Sequence, residues 1–184
     1  MDTTGNLLSL LEPGGVYRRS DLARAVKGVD RELIKLVNAK RPEKVGRGLY
    51  HFPRHSRFGS LPPDPEKLVK AFLRDNHFLV ISPNDFNCLG VGTTQLYNCL
   101  WVYNRKRSGS FEIGGQVFVL FRKRHFPDKA SVEFLLVTLI DNLNNLAENR
   151  EDVRSKALAR LQEERLAQVE TASREPLGNV PKSN

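Results

Sequence analysis

The sequence predicts an α+β protein, in which a small N-terminal unit of helices and a hairpin precedes a mixed α/β domain with antiparallel sheet and C-terminal helices. Short amphipathic segments broken by glycine and proline fill the first fifty residues. Residues typical of strands are concentrated in the short segments 78–81, 96–103, 110–113 and 116–121, and apolar residues recur at helical spacing after residue 131. The predicted divisions are residues 1–53 for the first domain, 54–65 for a linker, 66–150 for the α/β domain, 151–170 for a C-terminal helix and 171–184 for a disordered tail.

Three short helices are predicted before residue 40. The first begins after Thr3 or Thr4 and ends at the Pro-Gly-Gly of residues 13–15. Its apolar face consists of Leu7, Leu8, Leu10 and Leu11. The second spans residues 21–27, with Ser20 as its N-cap and Gly28 as its stop. The third is capped by Asp30, and its buried side consists of Leu33, Ile34, Leu36 and Val37.

The outer face of the third helix carries side chains suited to DNA recognition. Arg31, Lys35 and Asn38 share this face at spacings of four and three residues. Arginine and lysine bind guanine edges or phosphates, and asparagine pairs bidentately with adenine in the major groove. A hairpin over residues 44–52 follows, with Arg47 at its glycine-flanked tip. This order of helices and hairpin is typical of a winged helix-turn-helix domain.

Positive charge is concentrated in the same segment. Residues 17–57 contain twelve Lys/Arg and four Asp/Glu, a surplus equal to the formal net charge of +8 for the whole chain. Clustered cations gain affinity for duplex DNA by releasing counterions from its phosphates. Charge alone would equally fit a solvated basic face. The order of the elements is the observation that favours DNA binding. The residues expected to contact DNA, with Arg18 and Arg19 on phosphates, are Arg18, Arg19, Arg31, Lys35, Asn38, Lys40, Arg41, Lys44 and Arg47.

Helices and strands alternate in the second half. Asp64 as N-cap and Pro65 in the first turn begin a helix over residues 66–75. A strand over residues 78–81 is followed by a brief helix that ends before Gly90. A strand over residues 96–103 and a hairpin of residues 110–113 and 116–121 form the predicted antiparallel sheet. Two helices, over residues 131–149 and 151–169, complete the chain.

Two basic clusters flank the predicted sheet and form a candidate second basic surface. They are Arg105, Lys106 and Arg107 after the first strand, and Arg122, Lys123 and Arg124 after the last. Whether they converge or lie at opposite edges is left open by the sequence. One interpretation is a contact surface for nucleic acid or an acidic partner, and the other is protection of sheet edges.

Membrane, redox and catalytic roles are disfavoured. No apolar run reaches the roughly 20 residues of a membrane helix, and the first residues lack the pattern of a signal peptide, so a cytoplasmic location is expected. Cys88 and Cys99 are predicted to be reduced. Pro53 separates His51 from His55 and removes the helical spacing typical of metal-binding histidine pairs. We therefore predict no metal, no cofactor and no catalytic residue.

Three stretches resemble the AbiEi-like antitoxins of type IV toxin-antitoxin systems, a family of transcriptional regulators. They are residues 16–22 (VYRRSDL), 46–53 (GRGLYHFP) and 109–121 (GSFEIGGQVFVLF). The turn after residue 103 and the helices after residue 128 depart from the family pattern. The resemblance implies a winged helix followed by an α/β antitoxin domain. It further implies a repressor that binds the double-stranded operator DNA of its own operon and neutralises a co-encoded nucleotidyltransferase-like toxin.

Two other hypotheses remain open. One is a protein-interaction module without sequence-specific DNA binding, in which the basic face and the helix over residues 151–169 bind an acidic partner. The other is a nucleic-acid-processing enzyme, for which Glu112, Asp128 and Glu133 are the carboxylates near the hairpin; their spacing fits no recognised metal-ligand pattern. A homodimer would match a palindromic operator, although no clean heptad pattern predicts one.

Overall fold

The computed structural model describes residues 7–39, 42–146 and 148–174 of the 184-residue chain. Its helices are α1 (Arg19–Ala25), α2 (Val29–Asn38), α3 (Pro65–Leu73), α4 (Val132–Asn142) and α5 (Arg150–Arg174), with 3-10 segments at Pro83–Leu89 and Leu143–Asn145. Its strands are β1 (Gly15–Arg18), β2 (Glu43–Gly46), β3 (Leu49–Phe52), β4 (His55–Ser56), β5 (Gly59–Ser60), β6 (Phe78–Ile81), β7 (Cys99–Asn104), β8 (Gly109–Ile113) and β9 (Gln116–Arg122). The fold is therefore α+β, as predicted.

The described residues form two compact units. One contains the residues up to 82 together with 98–128, and the other contains residues 83–97 together with those from 129 onward. This division differs from the predicted boundaries at residues 53 and 66. The predicted first domain and the later sheet belong to one unit because Leu49 of β3 is buried in the same core as Leu68 of α3 and Phe118 of β9.

The first sheet of the larger unit has the order β1-β3-β2 and is antiparallel. The helices α1 and α2 connect β1 to β2. Their apolar residues are buried in one core with Leu7 and Leu11. The predicted helix boundaries are wrong by two residues here. Ser20 lies inside α1, which ends at Ala25, before the predicted stop at Gly28. Gly28, with φ +73°, precedes α2, so Asp30 lies in the first turn instead of capping it.

The buried face of α2 matches the predicted one only in part. Leu33 and Leu36 are buried as predicted, whereas Ile34 is 62% exposed. The buried face also includes Val29 and the side chain of Glu32, which is 4% exposed. Consecutive helical residues are rotated by about 100°, so Ile34 faces away from a core that is centred between Leu33 and Leu36.

The first predicted helix is short in the structure. Leu7 and Leu8 are helical, and the turn continues because the N–H groups of Leu10 and Leu11 donate hydrogen bonds to the carbonyls of Leu7 and Leu8. Leu7 and Leu11 are buried, but Leu10 is exposed, contrary to the prediction. The expected caps Thr3 and Thr4 lie outside the described residues.

The predicted linker contains ordered structure. The strands β4 and β5 form a small hairpin, and the amide of Leu61 donates to the carbonyl of Arg54 across its base at 2.8 Å. The carboxylate of Asp64 then caps α3 by accepting a hydrogen bond from the backbone N–H of Lys67 at 3.0 Å. Pro65 lies in the first turn of the helix, as predicted. This helix ends at Leu73, two residues before the predicted end, because Arg74 adopts the left-handed conformation with φ +52°.

The second sheet has the order β6-β7-β9-β8. Its β8–β9 hairpin forms with the predicted turn at Gly114 and Gly115, but β9 pairs in parallel with β7, so the sheet is mixed instead of antiparallel. Although β8 follows β7 in the chain, it lies at the edge of the sheet, and β9 lies between the two. The predicted strand over residues 96–103 begins at Cys99 and ends at Asn104. Leu68, Val69 and Leu73 of α3 pack on this sheet.

The smaller unit is formed mainly by α4 and α5. Ser131 caps α4 by accepting the amide of Phe134 at 3.1 Å, and the helix ends at Asn142, well before the predicted residue 149. The segment Pro83–Leu89 is a 3-10 helix. The helix α5 reaches Arg174, so residues 171–174 of the predicted tail are helical, and residues 175–184 lie outside the described range. Within that range, no helix is long and apolar enough to cross a membrane.

Replacing Leu68 with alanine should lower the free energy of unfolding by about 2–5 kcal/mol, because the side chain is fully buried between α3 and the second sheet. Urea denaturation followed by the fluorescence of Trp101, the single tryptophan, would report the change in this unit. The exposed Ile34→Ala variant is the control and should stay within about 0.5 kcal/mol of the parent. Equal losses in the two variants would contradict the assigned core.

Candidate nucleic-acid interface

The exposed face of α2 carries four side chains. Arg31, Ile34, Lys35 and Asn38 are all exposed, at the spacings that place them on one side of the helix. The ammonium of Lys35 lies 3.4 Å from Oε1 of Glu32, whose side chain is buried beneath it. This face combines two cations, one amide and one apolar group. Sequence reasoning missed Ile34, although its position one residue after buried Leu33 could have indicated it.

The β2–β3 hairpin presents a second set of cations. Arg47 and Gly48 form its turn, where Gly48 has φ +67°, and both Lys44 and Arg47 are exposed. Within the described ranges, the side chains of Arg31, Lys44 and Arg47 form no ion pair or hydrogen bond. Lys40 and Arg41, which were also expected to contact DNA, lie outside these ranges.

Arg19 joins α1, α2 and the hairpin. Its amide donates to the carbonyl of Gly48 at 2.9 Å. Its guanidinium binds both carboxylate oxygens of Asp30 at 2.6 and 2.5 Å. This bidentate hydrogen bond raises the pKa of Arg19 and lowers that of Asp30. Arg19, which was predicted to contact phosphate, is therefore paired with a carboxylate. Its contacts hold α2 and the β2–β3 hairpin in fixed relative positions.

Arg18 has a different position from the one predicted. Its Nε donates to the carbonyl of Ala71, and a terminal nitrogen donates to that of Phe72 at 2.6 Å. Burial, followed by repulsion from Arg74, lowers the pKa of Arg18. The side chain is committed to the end of α3, so we correct its predicted role as a phosphate contact to a structural one.

The two later basic clusters converge. Because β7 and β9 are parallel neighbours, Asn104 pairs with Arg122 and both clusters begin at the same end of the sheet. Their six members, Arg105, Lys106, Arg107, Arg122, Lys123 and Arg124, are all exposed. Lys106 also donates to the carbonyls of Leu73 and Arg74 at 3.0 and 2.7 Å. The guanidinium of Arg107 lies 4.8 Å from the ring centre of Phe72.

Asn104 shapes the first of these clusters, and sequence reasoning missed it. Its buried amide oxygen accepts the backbone N–H groups of Lys106 and Arg107, both at 2.8 Å. Its amide nitrogen donates to the carbonyl of Arg107 at 2.9 Å. Asparagine at the end of a strand commonly organises such a turn, which is the signal that could have identified it.

His51 is the buried titratable residue of the first sheet. It is 1% exposed, and its Nδ1 has no hydrogen-bond partner in the described part of the chain. Burial lowers the pKa of His51 below its usual value near 6.5. Over the same part of the chain, no three His, Cys, Asp or Glu side chains are placed to hold a metal ion.

Comparisons of the chain with protein-family models, with curated proteins and with solved structures found no match.

The stability of the protein should fall as the pH drops below about 6.5. The folded state keeps His51 neutral, whereas the unfolded chain binds a proton there, so this contribution is complete above the unfolded pKa and is lost toward the lower folded pKa. Urea midpoints measured between pH 5 and 8 test this expectation. Between pH 5 and 6.5, the urea midpoint should change less steeply with pH in His51→Gln than in the parent, whatever the absolute stability of the variant. An unchanged slope of midpoint against pH would refute the role of His51.

Proposed function

We propose that this protein is a DNA-binding transcriptional regulator whose first sheet, α1 and α2 form a winged helix. The element order β1-α1-α2-β2-β3 and the sheet order β1-β3-β2 support this interpretation. The observation that carries it is the bridge at Arg19, which holds the cation-bearing face of α2 and the Arg47 hairpin together. These are the two elements by which such a domain contacts a duplex.

In the proposed complex, α2 lies in the major groove. Arg31 and Lys35 bind guanine edges or phosphates, and Asn38 pairs with an adenine. The exposed Ile34 supplies an apolar contact for a thymine methyl group. Arg47, at the tip of the wing, contacts the backbone or the adjacent minor groove, and Lys44 adds a phosphate contact.

The proposal extends to an antitoxin that acts in the cytoplasm, represses its own operon and neutralises a co-encoded nucleotidyltransferase-like toxin. This part is supported by the resemblance of residues 16–22, 46–53 and 109–121 to the AbiEi-like family. No catalytic residue and no cofactor are assigned. The second candidate function is a protein-interaction module, favoured by the convergence of six exposed cations at one end of the second sheet.

Operator binding should depend on Lys35 and Arg47 in different ways. Lys35→Ala should weaken binding to the DNA upstream of the gene and reduce the preference over a scrambled duplex, because it removes a base contact of about 1–3 kcal/mol. Arg47→Ala should weaken binding to both duplexes and reduce the slope of log K against log salt by about one.

Salt-titrated fluorescence anisotropy measures both effects. Arg154→Ala, which removes an exposed cation from α5, is the matched control and should leave affinity and slope unchanged. Equal affinity of the parent protein for operator and scrambled duplexes would refute sequence-specific binding and favour the protein-interaction candidate.

Toxin neutralisation should be separable from DNA binding. Because Lys35 lies on the proposed DNA face, Lys35→Ala should lose repression of an operon reporter and still rescue growth when co-expressed with the neighbouring nucleotidyltransferase-like protein. Immunoblots would match the amounts of parent and variant protein. If the parent protein fails to rescue growth, the antitoxin half of the proposal is wrong while the DNA half stands.

A further inference from the structure

A cleft of about 600 Å³ lies between β1 and α1 on one side and α3 on the other. This volume falls within the range of small-molecule sites in proteins. The DNA-contacting face proposed above, on α2 and the hairpin, contributes no residue to its lining. The cleft therefore represents a feature that the proposed function does not use.

One wall of the cleft is a row of cations. Lys67 and Lys70 line it from α3, three residues apart on one helix face, and Arg74, the left-handed residue that follows the helix, also lines it. The row is therefore three cations long. Arg18 and Arg24 line the cleft from β1 and α1. A row of this length suits an anion with more than one phosphoryl group.

Several of these cations have charge available for a ligand. The ammonium of Lys70 forms no ion pair or hydrogen bond with any described residue. Arg24 has an 82% exposed side chain, and its nearest carboxylate oxygen, on Asp21, is 3.9 Å away. The ammonium of Lys67 donates to the carbonyl of Gly14 at 3.1 Å, and the guanidinium of Arg74 donates to the hydroxyl of Ser20 at 2.8 Å.

The acidic residues do not cancel this charge. Three carboxylates, of Glu12, Asp21 and Asp75, line the cleft against five cations. Asp75 is already occupied, because it accepts the amide of His77 at 3.0 Å and lies 3.5 Å from Lys106. Burial, and after it repulsion from Arg74, lowers the pKa of Arg18.

The lining also includes an apolar portion. Val16, Tyr17 and Ala71 contribute to it and are half-buried. The hydroxyl of Tyr17 accepts the amide of Glu12 at 2.6 Å, which fixes the aromatic ring. An immobilised ring beside a row of cations matches the two parts of a nucleotide, because a base stacks on aromatic side chains and its phosphates bind cations.

We propose that this cleft binds a nucleoside polyphosphate, with its phosphates on Lys67, Lys70, Arg74 and Arg24 and its base against Tyr17. The same phosphate chemistry is present in a DNA backbone, so the test must separate a free nucleotide from a duplex. The proposal does not depend on the DNA-binding function, because its residues lie outside α2 and the hairpin.

Calorimetric titration of the full-length protein with ADP, in buffer containing EDTA, tests the site directly. We expect binding that weakens about tenfold in Lys70→Ala and in Arg24→Ala, since each variant removes one charge-assisted contact. Both side chains are exposed, so circular dichroism should show intact folds. The matched control is Arg154→Ala, which removes an exposed cation of α5 outside the cleft and should bind ADP like the parent.

Three outcomes would overturn the proposal. The first is no ADP binding at millimolar concentration. The second is equal affinity for ADP and inorganic pyrophosphate, which would leave the base without a role. The third is loss of duplex affinity in Lys70→Ala without any nucleotide binding, which would mean that the cleft holds backbone phosphates. In that last case operator recognition through Lys35 would be retained, so the two proposals fail separately.

Discussion

Two cations bound to one helix end hold the larger unit together. The last four carbonyls of a helix have no partner within it, and those of a buried end must be satisfied elsewhere. At the end of α3, Arg18 from β1 donates to Ala71 and Phe72, and Lys106 from the loop after β7 donates to the next two carbonyls. The negative end of the helix dipole favours both cations. The helix α3 thereby fastens the first sheet to the second.

This attachment determines which basic residues are available for ligands. Arg18 is adjacent in sequence to Arg19, yet the first is committed to α3 and the second links α1, α2 and the β2–β3 hairpin. The β2–β3 hairpin is also bound to the second sheet, because the amide of Gly114 donates a hydrogen bond to the carbonyl of Val45 at 2.8 Å. A surface that binds a stiff duplex benefits from such support, since less conformational freedom is lost on binding. Lys67 and Lys70 of α3 take no part in this attachment and line the cleft.

Local patterns predicted the elements whose signals are contained in a few consecutive residues. The Asp64–Pro65 start of α3, the glycine turn of the β8–β9 hairpin and the hairpin around Arg47 all form where expected. Predictions failed where a distant contact competes with a local preference. The first turn of α2 shows this, because Asp30 was expected to cap the helix and instead pairs with Arg19, eleven residues earlier.

The sequence by itself determined the α+β class, the start of α3 at Asp64 and Pro65 and the concentration of positive charge in residues 17–57, because each depends on residue types and short-range patterns. Only the tertiary structure decided which cations share a surface. The parallel pairing of β7 with β9 brings two basic clusters to one end of the sheet. Because β1 packs beside α3, the guanidinium of Arg18 binds a carbonyl at the end of that helix, whereas Lys70 lines the cleft. These placements depend on contacts between residues that are not local in the chain, 18 positions apart for Asn104 and Arg122 and 54 for Arg18 and Phe72, and no local sequence pattern records them.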